Sequence, residues 1–280
     1  MKFRTEIEIK QSRRQVNHSD KLLTVGSCFS DSIGSRLRMD GFDVSVNPTG
    51  ILFNPISIAN IFERALARKP YTAEDLYIDE TGIRHCLDFE SRRQSADSDQ
   101  LLEAINNDFS VFSEILLRAD RIFVTFGTAW VFAHKPTGNR IVGNCHKLPA
   151  REFECHRLDV SDIVSRWLPL VRRLPLVFTV SPVRHLNDGL HGNTLSKAIL
   201  QLAIDRLVDA EYFPAFEILM DDLRDYRFYA EDLKHPSVMG EDYIYERFGE
   251  MFFTPETRAR ALVCRKQFKQ QAHRQIITKS

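Results

Sequence analysis

The sequence predicts an α/β protein built around a doubly wound parallel sheet with helices on both faces. Two observations support this class. The apolar runs of strand length are continuous rather than alternating, and between them lie segments with an apolar residue every three or four positions. A continuous apolar run is typical of a parallel strand buried on both sides, and each crossover helix then packs back onto the sheet.

The first part of the chain contains two predicted strand–helix units. The apolar run over residues 21–25 is ended by Gly26, and apolar residues at a spacing of four then predict a helix over 29–37. A second strand is predicted over 42–46, where the Pro and Gly of Asn47-Pro48-Thr49-Gly50 mark a turn, and a second helix over 56–66.

The same alternation continues through the rest of the chain. The predicted elements are a helix over 99–118, strands over 121–126 and 175–180, a helix over 194–208, a strand over 216–220 and a basic helix from Pro255 onward. Residues 71–98 and 134–155 are polar and mixed, so they are predicted to be insertions over one edge of the sheet. The basic helix favours a solvated packing helix, and the alternative is contact with an anionic polymer or another protein.

Composition favours one domain over residues 1–280, with a core at about 20–250 and a helical extension over 251–280. Lys plus Arg equals Asp plus Glu at 38 each, so no net charge favours nucleic acid or an anionic membrane as partner. The first residues lack a secretory signal, and no segment has the roughly 20 apolar residues of a membrane span. We therefore expect a cytoplasmic protein, and its oligomeric state stays open.

Cysteine and glycine patterns argue against a metal or a cofactor. The five cysteines are scattered and odd in number, which predicts reduced and mostly buried thiols. Three Cys/His neighbours, at 85–86, 145–146 and 155–156, lack the Cys-x-x-Cys spacing of zinc sites. No glycine-rich nucleotide-binding motif is present, so no cofactor is expected.

Ser27 and Cys28 lie directly after the first predicted strand, where a helix begins. Ligands gather at the carboxyl ends of parallel strands. Unpaired N–H groups at a helix start favour a thiolate, whose free pKa is about 8.5, and can also stabilise an oxyanion. Tight packing of strand against helix is the alternative explanation of this small turn.

Asp232 and His235 form a second candidate pair. An acid three residues before a histidine can bend back to hold one ring nitrogen and leave the other free for a substrate or nucleophile. Pro236 disfavours helix at His235, so a loop is expected to present the ring. An ordinary surface pair is the alternative, although the chain order of nucleophile, acid and histidine is a hint of function.

The segment Thr24-Val25-Gly26-Ser27-Cys28-Phe29-Ser30 resembles the signature of the GSCFA family, which is similar to the SGNH (GDSL-like) hydrolases. Further blocks that resemble the family are Asn47 to Pro55, Phe126 to Trp130, Val142 to Lys147, Val180 to His185 and Asp232 to His235. Together they span about residues 20–250. The resemblance implies a flavodoxin-like, SGNH-type fold with its nucleophile after the first strand and its Asp-x-x-His pair near the end.

The resemblance also implies site residues. Aligned without a gap on Gly-Asp-Ser-Leu, Cys28 takes the place of the nucleophile, whereas a shift by one residue gives Ser27. Gly50 corresponds to the glycine that helps bind the oxyanion. The third block, Gly127 to Trp130, lacks the expected asparagine, and Asn144 or Thr128 is a candidate substitute. His185, after Arg184, either holds an anionic or sugar-linked substrate or caps a strand end, the structural role being favoured.

Together these features predict an SGNH-type esterase. In this hypothesis Cys28 or Ser27 attacks an acyl ester, His235 moves the proton and Asp232 orients His235. Acetylated carbohydrate is the substrate class that family analogy implies. Two alternatives stay open: an O-acyltransferase of the same fold, and a catalytically silent module that binds a glycan or a protein.

Overall fold

The computed structural model describes residues 5–143 and 147–277 of the 280-residue chain. Its strands are, in chain order, β1 (Lys21–Gly26), β2 (Asp43–Val46), β3 (Leu76–Ile78), β4 (Arg84–Cys86), β5 (Gln94–Ser95), β6 (Arg121–Phe126), β7 (Trp130–His134), β8 (Arg140–Ile141), β9 (Phe153–Arg157), β10 (Leu176–Val180) and β11 (Glu211–Phe213). Its helices are α1 (Cys28–Met39), α2 (Pro55–Leu66), α3 (Ser98–Arg118), α4 (Val160–Val171), α5 (Gly189–Asp205), α6 (Ala215–Glu217), α7 (Val238–Phe252) and α8 (Pro255–Ile277).

The central sheet is five-stranded and entirely parallel, in the order β2-β1-β6-β10-β11. This is the flavodoxin-like order, in which the chain winds from β1 to β2 and then crosses to the other side of β1. Gly26 lies opposite Thr125, and Val180 lies opposite Phe126, so β1, β6 and β10 end at nearly the same level. The predicted doubly wound sheet is confirmed.

Two hydrophobic clusters cover the two faces of the sheet. Because side chains alternate along a strand, Leu22 joins the cluster under α1 and α7, whereas Leu23 joins the cluster under α2, α3, α4 and α5. Large aromatic side chains fill both: Trp167 of α4 and Phe248 of α7 are almost fully buried. Burial of one such side chain is worth about 1.5–3 kcal/mol, so the layers hold the strand ends in a fixed arrangement.

One predicted strand is wrong. The apolar segment over 216–220 is helical, since α6 continues into a π-helix at Ile218–Leu223, and the last strand is instead β11. Pro214 separates the two elements, and proline suits a helix start but cannot donate in a strand ladder. Ile218 and Leu219 are buried in the same cluster as α7, and a short buried run does not by itself distinguish a strand from a helix.

The two predicted insertions are present as small antiparallel sheets. One consists of β3, β4 and β5, and the other of β8, β7 and β9. They contact each other through the ring of Tyr77, whose centroid lies 4.5 Å from that of His134, and Glu152 lies 3.3 Å from both Tyr77 Oη and His134 Nε2. These polar pairs explain why the two segments lack the apolar alternation of the core.

The predicted C-terminal helix is α8, which docks on α1 by an ion pair. Arg265 makes two 2.6 Å contacts with the carboxylate of Asp40, a residue at the end of α1 that also accepts a hydrogen bond from Tyr245. Part of the basic charge of α8 is therefore structural. Among the helices of the described chain, none combines the length and the apolar character that a membrane crossing requires.

The cysteines differ from the prediction. Of the four that lie in the described part of the chain, all are free, but only Cys86 is fully buried. Cys28 and Cys264 are partly exposed and Cys155 is exposed on β9. Cys155 belongs to the small antiparallel sheet of β7, β8 and β9 and not to the core. The tendency of cysteine to be buried in a core therefore does not apply to it. Cys145 lies outside the described residues.

Candidate active site

The candidate site lies at the topological switch point of the sheet. The crossover after β1 leads to β2 on one side and the later strand β6 lies on the other, which leaves a crevice at the carboxyl ends of β1 and β6. Ser27 and Cys28 follow β1, and Gly127 and Thr128 follow β6. The loop after β10, which carries His185, borders the same crevice.

Gly26 makes the turn between β1 and α1 possible. Its φ is +138°, and a side chain there would place Cβ 2.2 Å from the carbonyl oxygen of Thr125. The N–H of Gly26 donates to Asn47 Oδ1 at 2.8 Å, and the N–H of Ser27 donates to Thr125 O at 3.2 Å. The turn is thereby tied to both neighbouring strands.

Ser27 is the N-cap of α1. Its Oγ accepts a hydrogen bond from the N–H of Phe29 at 3.3 Å, and the residue is only 2% exposed. Such a cap satisfies one of the unpaired donors at the start of the helix and stabilises it by about 1 kcal/mol. The hydroxyl that the sequence offers as an alternative nucleophile is thus buried and already bonded.

Cys28 is the first residue of α1 and is partly exposed. Burial raises the pKa of its thiol, and the carboxylates of Asp31 and Glu241 raise that pKa further. The N–H groups of Cys28 and Phe29 oppose this by stabilising the thiolate. Because the raising effects win, Cys28 is a protonated thiol at neutral pH and needs a base to become a nucleophile.

Asp232 and His235 form the predicted pair on an exposed loop. Nδ1 of His235 lies 2.6 Å from Oδ2 of Asp232, while Oδ1 accepts the N–H groups of Lys234 and His235 at 2.9 and 3.0 Å. These hydrogen bonds hold the pKa of Asp232 well below its usual range, and the hydrogen bond from the N–H of His235 has the largest effect. An ionised carboxylate can only accept a hydrogen bond, so Nδ1 of His235 is the donor. Nε2 is the ring nitrogen that lies outside this pair.

The loop that carries this pair is anchored at both ends. Tyr229 and Pro236 form a β-bridge, and the N–H of Ala230 donates to His235 O at 2.8 Å. The N–H of Arg184 donates to Lys234 O at 3.0 Å, which joins the loop to the segment after β10. The backbone of the loop that carries His235 is therefore tied to the segment that carries His185.

His185 lies at the crevice with its ring tilted against Phe53, at a centroid distance of 5.4 Å. Its backbone N–H donates to Asn193 Oδ1 at 3.0 Å, and among the described residues its buried Nε2 has no hydrogen-bond partner. Burial lowers the pKa of His185 to about 3, and the charges of Lys197 and His235 contribute in the same direction. The ring is thus uncharged at neutral pH and close to both of these side chains.

The low pKa of His185 predicts a pH-dependent contribution to stability. Unfolded, its pKa is 6.5, so between pH 6.5 and 3 the unfolded chain binds a proton that the folded chain does not. Stability therefore falls as pH falls through this window, by up to about 1.4 kcal/mol per pH unit from this one group. The variant His185→Phe, which keeps a ring beside Phe53, is expected to remove that slope.

Urea denaturation at several pH values from 4 to 7.5 measures this effect as the difference between wild type and His185→Phe. Ionisable groups common to both proteins cancel in the difference. His156→Phe, at an exposed position of β9, is the matched control for the replacement of a histidine ring by a phenylalanine ring. Parallel stability curves for wild type and His185→Phe would show that His185 titrates normally.

Lys197 is a residue that sequence patterns did not reveal. It lies on α5, is 1% exposed, and its Nζ donates to Gly127 O at 2.7 Å and to Ser181 O at 2.8 Å. Burial lowers the pKa of Lys197 to about 7. A negative charge on Cys28 would raise this pKa. A lysine inside an amphipathic helix is ordinarily expected on its solvated face, so no sequence signal pointed to it.

The N-terminal half of α5 turns a polar face to the site. Ser196 Oγ accepts the N–H of Ala129 at 2.7 Å and lies 3.0 Å from Thr128 Oγ1, next to the contacts of Asn193 and Lys197. The buried stripe is Asn193, Ser196, Lys197, Leu200, Ala203 and Ile204. The apolar repeat that predicted this helix is only partly buried, and its Leu202 is 55% exposed.

The predicted oxyanion donors already have partners within the protein. The N–H of Gly50 closes a turn onto Asn47 O at 2.8 Å, with φ at +85°. The N–H of Thr128 donates to Phe53 O at 3.2 Å, and its hydroxyl accepts the N–H of Trp130 at 3.1 Å. Asn144 lies outside the described residues. The oxyanion roles of these three residues stay predictions.

The structure thus brings several site residues to one edge of the sheet. Lys197 contacts the residues after β6 and β10, His185 lies against Phe53, and the charges of Lys197 and His235 contribute to the lowered pKa of His185. No group of three His, Cys, Asp or Glu side chains suited to a metal ion occurs in the described chain. Fold and site together define a doubly wound α/β protein with a cysteine at its switch point.

The chain belongs to the GSCFA family, whose model matches residues 21–248. No curated protein matches the sequence. Among solved structures, it is similar to a catalytic mutant of Axe2, an acetylxylan esterase from Geobacillus stearothermophilus, at 10% identity and a TM-score of 0.44, over 86% of this chain and 97% of the other. A different catalytic mutant of Axe2 is similar at 14% identity and a TM-score of 0.38, over 84% and 95%. The fold assignment depends on the strand order of this chain itself.

Proposed function

We propose that this protein is an SGNH-type esterase that cleaves acyl esters, with acetyl esters of carbohydrates as substrate class and Cys28 as nucleophile. One observation carries the proposal: at the helix start after β1, the thiol of Cys28 is partly exposed while the hydroxyl of Ser27 is buried as a cap. Of the two candidate nucleophiles, only Cys28 is free to meet a substrate in the crevice.

The protonation state of Cys28 determines what else the reaction needs. Its raised pKa keeps the thiol protonated, so a base must accept the proton as Sγ attacks the ester carbonyl. In the proposed mechanism Nε2 of His235 accepts it, while Asp232 holds Nδ1 and stabilises the imidazolium that forms. The N–H of Cys28, the first residue of α1, is the proposed donor to the developing oxyanion, since the N–H groups of Ser27 and Phe29 already donate to Thr125 O and Ser27 Oγ.

The proposed reaction proceeds in two halves. Sγ bonds to the carbonyl carbon, the tetrahedral oxyanion collapses, and the alcohol leaves with the proton that His235 had accepted, which yields a thioester on Cys28. Water then attacks the thioester, His235 takes a proton from that water and returns it to the departing thiolate, and the carboxylic acid is released. An acceptor hydroxyl in place of water would make the second half a transfer.

Charge around the crevice favours an uncharged substrate. Asp31 lies one turn along α1 and accepts a hydrogen bond from Asn47 Nδ2 at 2.8 Å, and Glu90 acts on it electrostatically. Asp31 thus places a negative charge near Cys28 that disfavours an anionic ester, whereas Glu241 is paired with Arg36 and Glu90 with Arg92. An acetylated neutral sugar meets this requirement.

An exposed aromatic side chain beside the His235 loop supports a sugar as the alcohol part. Tyr226 is 64% exposed, with its ring centroid 5.2 Å from the guanidinium carbon of Arg184 and 5.8 Å from the ring of Tyr229. The apolar face of an exposed aromatic ring can pack on the C–H face of a pyranose.

Turnover of p-nitrophenyl acetate and of an acetylated xylose oligomer by the purified protein tests this function. We expect release of acetate, faster for the sugar ester, and an acetyl group trapped on the peptide that contains Cys28 after acid quenching. Transfer of the acetyl group to an added sugar hydroxyl would identify an acyltransferase instead. Saturable sugar binding without any acyl turnover would show a binding module and contradict the proposal.

A further inference from the structure

Arg184 lies on the segment that follows β10, next to the residue that borders the crevice. That residue is His185, whose ring packs against Phe53. The backbone N–H of Arg184 donates to Lys234 O at 3.0 Å, and Lys234 directly precedes His235. Arg184 is therefore tied through its backbone to the loop that carries the proposed base. The proposed reaction gives the side chain of Arg184 no role.

Two tyrosine rings hold the guanidinium of Arg184. Its central carbon lies 4.1 Å from the ring centroid of Tyr229 and 5.2 Å from that of Tyr226, and the two rings are 5.8 Å apart. Tyr229 is almost buried, whereas Tyr226 is 64% exposed. Contact with aromatic faces restrains a guanidinium, while its five N–H donors lie in its own plane and point outward from its edge. The cation is thus positioned before any ligand binds.

The charge of Arg184 is not neutralised by an ion pair. Among the charged side chains of the neighbouring segments, Arg227 pairs with Asp225 at 3.1 Å and Asp232 pairs with His235 at 2.6 Å. In the described part of the chain no carboxylate is paired with Arg184, which is half-buried. A guanidinium cannot lose its proton in a protein. A positioned, unpaired cation beside a crevice is suited to bind an anionic group of a ligand.

We propose that Arg184 and Tyr226 form a subsite for an acidic sugar of the carbohydrate that carries the ester. The guanidinium of Arg184 donates to the carboxylate of that sugar, and the exposed ring of Tyr226 packs on the C–H face. The planar fork of a guanidinium matches the two oxygens of a carboxylate, which an ammonium does not. The proposal deepens the proposed function and rests on it only for the ester.

The acidic sugar is a neighbour of the acetylated sugar and not the same unit. Asp31 acts on Cys28 and disfavours a negative charge at the ester. Arg184 favours a negative charge beyond His185, at the rim of the crevice. An oligomer in which a neutral sugar carries the acetyl group and an adjacent unit is a uronic acid meets both requirements.

Binding of oligomers that carry no acetyl group tests the subsite without turnover. Isothermal titration calorimetry compares a xylose oligomer with the same oligomer bearing one glucuronic acid branch. For the wild-type protein we expect the Kd of the acidic oligomer to be about tenfold lower, as is typical of a charge-assisted hydrogen bond that stays partly exposed. The preference should decrease as NaCl is added. Equal affinities for the two oligomers would overturn the proposal.

Variants then assign the preference to one side chain. Arg184→Gln should remove it, and Arg184→Lys, which keeps the charge but not the planar fork, should retain part of it. Arg157→Gln is the matched control, because Arg157 is an exposed arginine whose guanidinium carbon lies 5.5 Å from the ring centroid of Trp130. An equal loss in the two glutamine variants would show general electrostatic attraction in place of a subsite. Urea denaturation checks that each variant is folded, and the wild-type comparison requires no variant.

Inorganic phosphate distinguishes a sugar subsite from a general anion site. Phosphate has no face for Tyr226 to contact, so it should displace the acidic oligomer only at concentrations far above the Kd of that oligomer. Displacement at comparable concentrations would overturn the assignment to a sugar. A preference for the acidic oligomer without any acetyl release would refute the esterase and leave the subsite. Acetyl release with equal binding of the two oligomers would do the reverse.

Discussion

Cys28→Ala is expected to reduce turnover of acetyl esters by at least about a thousandfold, because it removes the atom that forms the thioester. The effect should lie in kcat, with KM little changed, since the sulfur does not hold the sugar or the leaving group. Steady-state kinetics with p-nitrophenyl acetate measure it, and the background hydrolysis of this activated ester sets the lower limit. The acetyl group trapped on Cys28 in wild type must be absent from the variant.

Ser27→Ala is the matched control for this prediction, since the two residues are neighbours at the same turn. It should lower the free energy of unfolding by about 1 kcal/mol through loss of the N-cap, and it should leave kcat within about threefold of wild type. Cys28→Ser places a hydroxyl at the position of the thiol. It shows whether the reaction needs sulfur or only a nucleophile at that position. The opposite pattern, with an active Cys28→Ala and an inactive Ser27→Ala, would make Ser27 the nucleophile.

The sequence identified those parts of the fold whose signals are local. β1, β6 and β10 are buried on both faces, so each is a continuous apolar run that stands out in the chain. β11 was not predicted, because this edge strand has only three residues, Glu211 to Phe213, which is too short for a recognisable pattern of apolar residues. The run after Pro214 resembled a strand for the same reason that it is a good helix: it is apolar and largely buried.

The candidate site divides in the same way. Cys28 and the Asp232–His235 pair are visible in the sequence because each depends on neighbours within a few residues. Lys197 depends on carbonyl oxygens 70 and 16 positions away, and no periodicity predicts such contacts. The uncharged state of His185 arises from burial against Phe53 and from charges on two other segments, which only the folded chain assembles.

Polar side chains on the buried face of α5 explain both the misplaced helix face and the missed lysine. An apolar repeat locates a helix against a hydrophobic core, but at its N-terminal end α5 packs against the crevice, where backbone groups need partners. There Asn193 and Ser196 accept hydrogen bonds from the backbone N–H groups of His185 and Ala129. Lys197 donates to the carbonyl oxygens of Gly127 and Ser181. In this protein the exception to the hydrophobic pattern therefore coincides with the candidate site.

His235→Ala is expected to lower kcat/KM for acetyl esters by about a hundredfold to ten-thousandfold, because a protonated thiol then has no positioned base. Asp232→Asn should cause a smaller or equal loss, since it keeps the geometry of the loop but no longer stabilises the imidazolium. The loop is exposed, so added imidazole should restore part of the activity of His235→Ala and none of that of Cys28→Ala. His156→Ala, another exposed histidine, controls for loss of a surface ring. Full activity in His235→Ala would separate the Asp232–His235 pair from the chemistry at Cys28 and return it to an ordinary surface interaction.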